Sequence, residues 1–364
     1  MSAQPSQLSL ILHRLHTHHL LGPKLTSSAD AVSYYGAVQA QDLLASLWAL
    51  GQRVEGATEA TVERAIAERR IVRTWPLRGT IHFVAAGDLR WMLNLSAERT
   101  FRSAARRHRE LGLDDATFAR SGEALVGALQ GGRRLERHAA YGVLEAAGIS
   151  TAGQRGIHIL GRLALQGLIV IGPREGKQPT FVLLDEWVPA GREWTRDEAL
   201  AELARRYFSS HGPATLVDFT WWSGLVAAEA RAGLEAVKDK LAQNEIAGQV
   251  YWSDSPTAAL AATAPIAHLL PVYDEYIVAY KDRSAVLAPE YAARSDAGNG
   301  IFRAPILIEG RVVGTWTRKL KRNAVVISPN LFRGMTGDEE KALAAAAEQY
   351  GVFLGLPAEL ARAS

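Results

Sequence analysis

The chain has 364 residues, 48% apolar and 22% charged, which are the proportions of a folded protein and enough length for two to four domains. It contains no cysteine, which excludes disulfides, thiolate zinc sites, iron–sulfur clusters and a cysteine nucleophile. A net charge of +3 is too mild to announce a nucleic-acid partner by itself, so the distribution of charge has to carry that argument. There is no basic-then-apolar signal at the N-terminus and no apolar run of spanning length. The expectation is a cytoplasmic protein with no membrane role.

Taken in chain order, helical periodicity alternates with short strand pairs. Residues Leu10–Leu21 and Ala29–Val38 read as helices, and Asp42 is placed to cap a third over Leu43–Leu50. Thr58–Arg69 reads as a fourth helix. Ile71–Trp75 and Gly79–Val84 then read as two strands around a turn at Pro76–Arg78. The same outline of helices followed by a hairpin recurs. Ser121–Gln130, Leu135–Ala147 and Thr151–Gln166 precede strands at Leu168–Gly172 and Thr180–Leu184. Arg196–Ser210, Ala214–Ser223 and Val226–Leu241 precede a strand pair near Ile246–Trp252. A recurrence every ~80 residues suits tandem small modules. Beyond Ala264 the pattern becomes strand-rich: Ile301–Ile308, a Glu309-Gly310 turn, Arg311–Trp316 and Ala324–Ile327, closed by a helix over Gly337–Tyr350. The predicted fold class is α+β, with three tandem winged helix-turn-helix domains (1–118, 119–192 and 193–262) followed by a C-terminal β-barrel (263–364).

The most informative short feature is Gln39-Ala40-Gln41. Two amides flanking a small apolar residue can orient a water molecule without bringing negative charge near DNA. On a regular helix, positions i and i+2 point about 200° apart and cannot share a ligand. Convergence therefore requires the backbone to leave helical geometry, and Asp42, a residue that prefers a cap, gives a reason for a helix–helix junction there. The plain alternative is two solvated glutamines on a helix.

Basic residues crowd the next segment. Between Arg69 and Arg109 the only acids are Asp88 and Glu98. Arg99, Arg102, Arg106 and Arg109 recur at three- and four-residue spacing, which places them on one helix face. A phosphate backbone would neutralise such a face, although a solvated charged face is the ordinary reading. Arg73, Arg78 and His82 in the first hairpin, and Arg318 and Lys319 beside a C-terminal strand, complete the DNA-binding candidates. The latter pair also suits protection of a sheet edge. His13, His16, His18 and His19 have spacings a metal would accept, but no acid or sulfur ligand lies nearby, and a polar helix face is the better reading. Trp221 and Trp222 read as packing residues. Asp274 and Glu275 form a tight acidic pair in an apolar setting, with Arg283 as a candidate partner. No phosphate-binding glycine loop, nucleophile elbow or dinucleotide fingerprint is present, and no metal or cofactor is expected.

Four segments together resemble the AlkZ-like bacterial DNA glycosylases, which belong to a larger superfamily of tandem winged-helix proteins. They are Gln39-Ala40-Gln41; Arg73-Thr74-Trp75-Pro76-Leu77-Arg78-Gly79-Thr80-Ile81-His82; Leu270-Pro271-Val272-Tyr273-Asp274; and Gly310-Arg311-Val312-Val313-Gly314-Thr315-Trp316. The resemblance spans nearly the whole chain in the expected order. It implies three winged helices and a β-barrel curved around duplex DNA, with catalysis by a glutamine–aliphatic–glutamine motif, here Gln39 and Gln41. Ala40 is smaller than the usual middle residue. A sister branch carries aspartate at the second polar position, and Gln41 sets this chain outside it. The implied activity is cofactor-free, monofunctional hydrolysis of N7-alkylated purines in double-stranded DNA by a monomer, with some family members unhooking interstrand crosslinks. The rival from another class is a non-enzymatic winged-helix regulator. A nuclease using Asp274 and Glu275 is the third reading. The Asn299-Gly300 segment and the Glu309-Gly310 turn are candidate groove probes.

Overall fold

A computed structural model describes residues 7–255, 265–298 and 302–362. They pack as two compact units, one made of the chain up to residue 62 together with everything from 201 onward, the other of residues 63–200.

The first unit opens with α1 (Gln7–Thr17), whose Leu10, Ile11, Leu12 and Leu15 are buried. In α2 (Ser28–Tyr35) the Ser27 hydroxyl accepts the Asp30 N–H, satisfying one donor the helix start would otherwise leave bare. A short strand, β1 (Ala37–Gln39), intervenes before α3 (Leu43–Gly51), where the Asp42 carboxylate accepts the Ala45 N–H as expected of a cap. Helix α4 (Glu59–Ala67) leads into the second unit.

That unit begins with the hairpin of β2 (Ile71–Leu77) and β3 (Thr80–Ala85). Its two-residue turn holds Arg78 and Gly79 at φ 53° and 69°, the positive values a tight hairpin turn demands at both central positions. There follow α5 (Leu89–Glu110), α6 (Asp115–Leu129), β4 (Leu135–Glu136), α7 (Arg137–Ala146), α8 (Arg155–Leu165), β5 (Ile169–Glu175), β6 (Gln178–Leu183) and α9 (Leu184–Trp187). The strands lie in the order β3-β2-β5-β6-β4, so the two expected hairpins share a sheet through the antiparallel β2–β5 contact at Arg73 and Ile171.

The chain returns to the first unit along α10 (Arg196–His211), then α11 (Leu216–Ser223), α12 (Ala227–Glu235) and the hairpin of β7 (Ala242–Ile246) and β8 (Gln249–Ser253). The remainder is β9 (Ala267–Leu269), α13 (Glu275–Val278), α14 (Ala292–Ser295), β10 (Pro305–Ile308), β11 (Arg311–Leu320), β12 (Val325–Leu331), α15 (Gly337–Leu354) and β13 (Ala358–Leu360). Strands β13-β12-β11-β10-β9 form one sheet against which α15 packs. Trp48 of α3 joins this assembly, its ring 5.0 Å from Tyr350 and its Nε1 donating to Leu269 O at 2.7 Å.

The α+β class and nearly every expected helix and hairpin are present. Among the described residues no pairing joins β9 to β13 in the C-terminal sheet. Packing divides the chain into two units, while the boundaries at 118, 192 and 262 divide it by recurrence of a motif. The Glu309-Gly310 turn is not a projecting probe: a Cβ at Gly310 would lie 2.4 Å from Ile11 Cγ2 and 2.8 Å from the Tyr276 hydroxyl. Asn299-Gly300, the other candidate probe, lies outside the described residues.

Of the four histidines near α1, His16 and His19 are half-buried, while His13 and His18 leave the expected polar face for the interior. His18 is fully buried, with Nε2 2.8 Å from the Tyr280 hydroxyl, and His13 is buried too. Burial, with help from His16, holds His13 down to about 4. Burial, Lys24 and Arg53 hold His268 down to about 3, and His18 is likewise lowered, chiefly by burial. In the unfolded chain such groups take up protons near pH 6.5, while the folded state refuses them until far lower pH. Stability from these sites is complete above pH 6.5 and is lost as pH falls toward the folded values. Urea midpoints at pH 7.5, 6 and 5 are expected to drop with a slope of ~2–3 kcal/mol per pH unit near pH 5 from His13 and His268 alone. A flat profile across that window would show these imidazoles to be hydrated.

Candidate active site

The Gln39-Ala40-Gln41 segment occupies the end of β1 and the residues before the α3 cap. The end of a strand and the short non-helical stretch before the Asp42 cap, rather than a junction of two helices, bring the amides together. Gln39 Nε2 donates to Gln41 Oε1 at 2.6 Å. Gln39 is 8% exposed and Ala40 is fully buried, whereas Gln41 is exposed, so the motif runs from the interior to the surface. A pair of amides carries both acceptor and donor atoms, the kinds of group that can bind a water molecule.

Behind the motif lies Glu275, the first residue of α13. Its Oε1 accepts the Gln39 backbone N–H at 2.7 Å, and its Oε2 accepts Trp222 Nε1 at 3.0 Å. His211 Nε2 stands 3.4 Å from the same Oε2. The His211 imidazole is pushed below its ordinary value by burial, an effect the Glu275 carboxylate opposes. Its ring stacks on Tyr207 at 4.8 Å, and its Nδ1 is 2.8 Å from the Ser210 hydroxyl.

The neighbouring carboxylate is engaged elsewhere. Asp274 accepts two hydrogen bonds from Arg53, at 2.7 and 2.9 Å, and a third from the Tyr276 N–H at 3.0 Å. Arg53 also donates to the Tyr35 hydroxyl at 2.8 Å and to Ala49 O. Burial alone would lower Arg53; Asp274 and Tyr35 more than offset it and hold the guanidinium charged. The acidic pair is therefore divided between an arginine and the glutamine motif. No group of three or more potential metal ligands occurs among the described residues, and the nuclease reading has no metal cluster to stand on. Arg53, not Arg283, is the bidentate partner of Asp274; Arg283 Nε donates to Ile277 O at 2.9 Å. Of the two tryptophans, Trp222 is buried as expected of a packing residue, while Trp221 is 41% exposed beneath Lys281.

Arg318 and Lys319 lie on β11 in the same unit as the glutamines. Arg318 is half-buried, lowered by that burial and held up by Asp42, the residue directly after the motif, and by Glu59. Lys319 is exposed. In the second unit, Arg99, Arg102, Arg106 and Arg109 are exposed on α5. Their charges are less isolated than spacing implied. Arg102 pairs with Glu98 one turn back, and Arg106 and Arg107 pair with Glu110 at 3.0 and 3.1 Å. Arg73 and His82 depart from expectation: they are 7% and 0% exposed, with His82 Nδ1 2.9 Å from Thr80 O, so neither presents a donor at the surface. Arg78 is half-buried at the hairpin turn.

Sequence reasoning missed Glu275, His211 and Trp222 as parts of this site. The signal was an acid in an apolar stretch, which must find a partner, but the partner lies 236 residues away.

A family model for AlkZ-like DNA glycosylases matches residues 32–353, a span that contains the glutamine motif and Glu275. The chain belongs to the AlkZ-like DNA glycosylase family. This AlkZ-like protein is accordingly an enzyme, a hydrolase of N-glycosyl bonds whose substrate is DNA, and not a non-enzymatic regulator. It is 27% identical over 349 residues to the interstrand DNA cross-link repair glycosylase of Streptomyces sahachiroi, covering 90% of this chain and 91% of that protein. Its fold matches the solved structure of Streptomyces sahachiroi DNA glycosylase AlkZ with a TM-score of 0.79 at 23% identity, covering 99% and 100% of the two chains. Among the described residues of the AlkZ-like chain, no helix is long and apolar enough to cross a membrane.

Proposed function

We propose that this AlkZ-like enzyme is a monofunctional glycosylase for N7-alkylated purines in double-stranded DNA, interstrand crosslinks included, with water positioned by Gln39 and Gln41. The observation that carries the reading is the 2.6 Å contact between the two amides, one at the end of β1 and the other just before the α3 cap. The crosslink activity named for the Streptomyces relative supports the inclusion of bulky lesions.

The chemistry suits neutral amides. N7 alkylation makes the purine a cation, so when the C1′–N9 bond breaks its electron pair neutralises the departing base and little acid catalysis is needed. The sugar passes through an oxocarbenium-like state, water attacks C1′, and the proton it releases passes to solvent. Amides are poor bases but can fix the water in line, and positioning of this kind is worth several orders of magnitude. The motif contains no lysine, so no Schiff base and no strand-cleaving lyase step are expected.

In this reading the modules at 1–118, 119–192 and 193–262 act as winged helices along the duplex, with region 263–364 as the fourth part of a monomeric enzyme. Arg99, Arg102, Arg106 and Arg109 face phosphates, Arg102 and Arg106 exchanging their ion pairs with Glu98 and Glu110 for the DNA backbone, and Arg78, Arg318 and Lys319 add to them. The buried Arg73 and His82 are assigned to support of the hairpin. The deciding experiment incubates the enzyme with duplex oligonucleotides bearing N7-methylguanine or a crosslink, without metal. Free alkylbase and an intact abasic strand are expected, with affinity falling steeply as salt rises. Tight binding to one undamaged sequence with no base release would sink the proposal.

A further inference from the structure

We infer that Glu275 is a positioning residue for base excision, a buried anchor whose carboxylate holds the backbone of Gln39 in place and is itself held by Trp222. This rests on the proposed role of the glutamines and adds a residue from a distant element to it. The Gln39 side chain reaches its partner from a backbone of only three strand residues. The Gln39 N–H meets a carboxylate at 2.7 Å that is 1% exposed. An N–H bonded to an anion is held more strongly than one bonded to a neutral oxygen. The second oxygen is fixed by Trp222 Nε1 at 3.0 Å and faced by His211 Nε2 at 3.4 Å. Both oxygens of one carboxylate are thus engaged, one toward the motif and the other toward α10 and α11. The Glu275 backbone is set in turn by its position just after Asp274, which Arg53 clamps through two bonds.

Glu275→Gln keeps the size and removes the charge. Its amide has one acceptor oxygen, so its NH2 group must face either the Gln39 N–H or the Trp222 N–H, a donor against a donor. The test uses full-length enzyme labelled with 15N-glutamine, the Gln39 amide resonance being assigned by its loss in Gln39→Asn. In Glu275→Gln the Gln39 amide proton is expected to move upfield and to exchange with solvent at least about tenfold faster. Single-turnover excision of N7-methylguanine is expected to slow about tenfold or more, with duplex Kd within about twofold of wild type. Unchanged shift and exchange at Gln39 would overturn the anchor. Faster exchange with wild-type excision would also overturn it, provided Gln39→Ala is inactive. If Gln39→Ala excises normally as well, the glutamine assignment fails while the exchange result still stands on its own. Should Glu275→Gln not fold, Trp222→Phe decides. It keeps the carboxylate and removes one of its donors, and faster Gln39 exchange with slower excision is expected; no change in either overturns the inference.

Discussion

Replacing either Gln39 or Gln41 by alanine is expected to slow release of N7-methylguanine from duplex DNA by about 10²–10³-fold, the usual consequence of removing one preorganised polar group from a reacting centre. The two amides touch at 2.6 Å, so each orients the other. Their losses should therefore not add. The double variant is expected to fall within about tenfold of the worse single variant, because groups acting as a unit are non-additive. Duplex affinity should change by no more than about twofold, since neither side chain carries charge to exchange with phosphate counterions. Gln41→Glu is a sharper version of the test. It keeps an acceptor where Gln41 Oε1 stands but adds an anion at an exposed position, and in the proposed reading binding to DNA should then weaken with a shallower salt dependence. Single-turnover rates on one lesion, with Kd measured on the uncleaved duplex, separate these effects. Near wild-type rates for both alanine variants would remove the glutamines from the mechanism.

Asp274→Asn is expected to cost about 3–5 kcal/mol of unfolding free energy, enough to threaten folding at physiological temperature. The Arg53 and Asp274 side chains are 3% and 0% exposed, and they meet through two hydrogen bonds. An asparagine leaves the buried guanidinium with no counter-charge, and its NH2 group faces one of the Arg53 donors. The effect should also spread to chemistry, because Asp274 caps α13 and so sets the backbone of Glu275, one residue on. Urea unfolding at pH 7.5 gives the first quantity and excision by the surviving folded fraction gives the second. A loss below about 1 kcal/mol would mean that the guanidinium escapes to water when its partner is removed.

The local elements were legible because local chemistry makes them. The Asp42 cap, the apolar spacing of α1 and the Glu309-Gly310 turn are all properties of neighbouring residues, while the turn of the first hairpin falls at Arg78-Gly79, past the expected Pro76–Arg78. The short β1 was not legible, since Ala37-Val38-Gln39 follows helix α2 without any break in apolar pattern except Gly36. Spacing also misjudged charge on α5. Glu98 and Glu110 lie at the margins of the arginine run, yet a helix places each within one turn of an arginine.

What the amino-acid order determined on its own was the alternation of helices and hairpins, the absence of cysteine chemistry, and the presence of two amides two residues apart beside a capping aspartate. It determined these because capping, turn geometry and periodicity act over fewer than ten residues. Tertiary structure alone decided which acid serves which partner. Asp274 and Glu275 are adjacent and chemically alike, yet one is matched to Arg53 and the other to Gln39, Trp222 and His211. A buried carboxylate must be compensated, but the demand carries no address. Only the packing of α3, α10, α11 and α13 says which donors reach it.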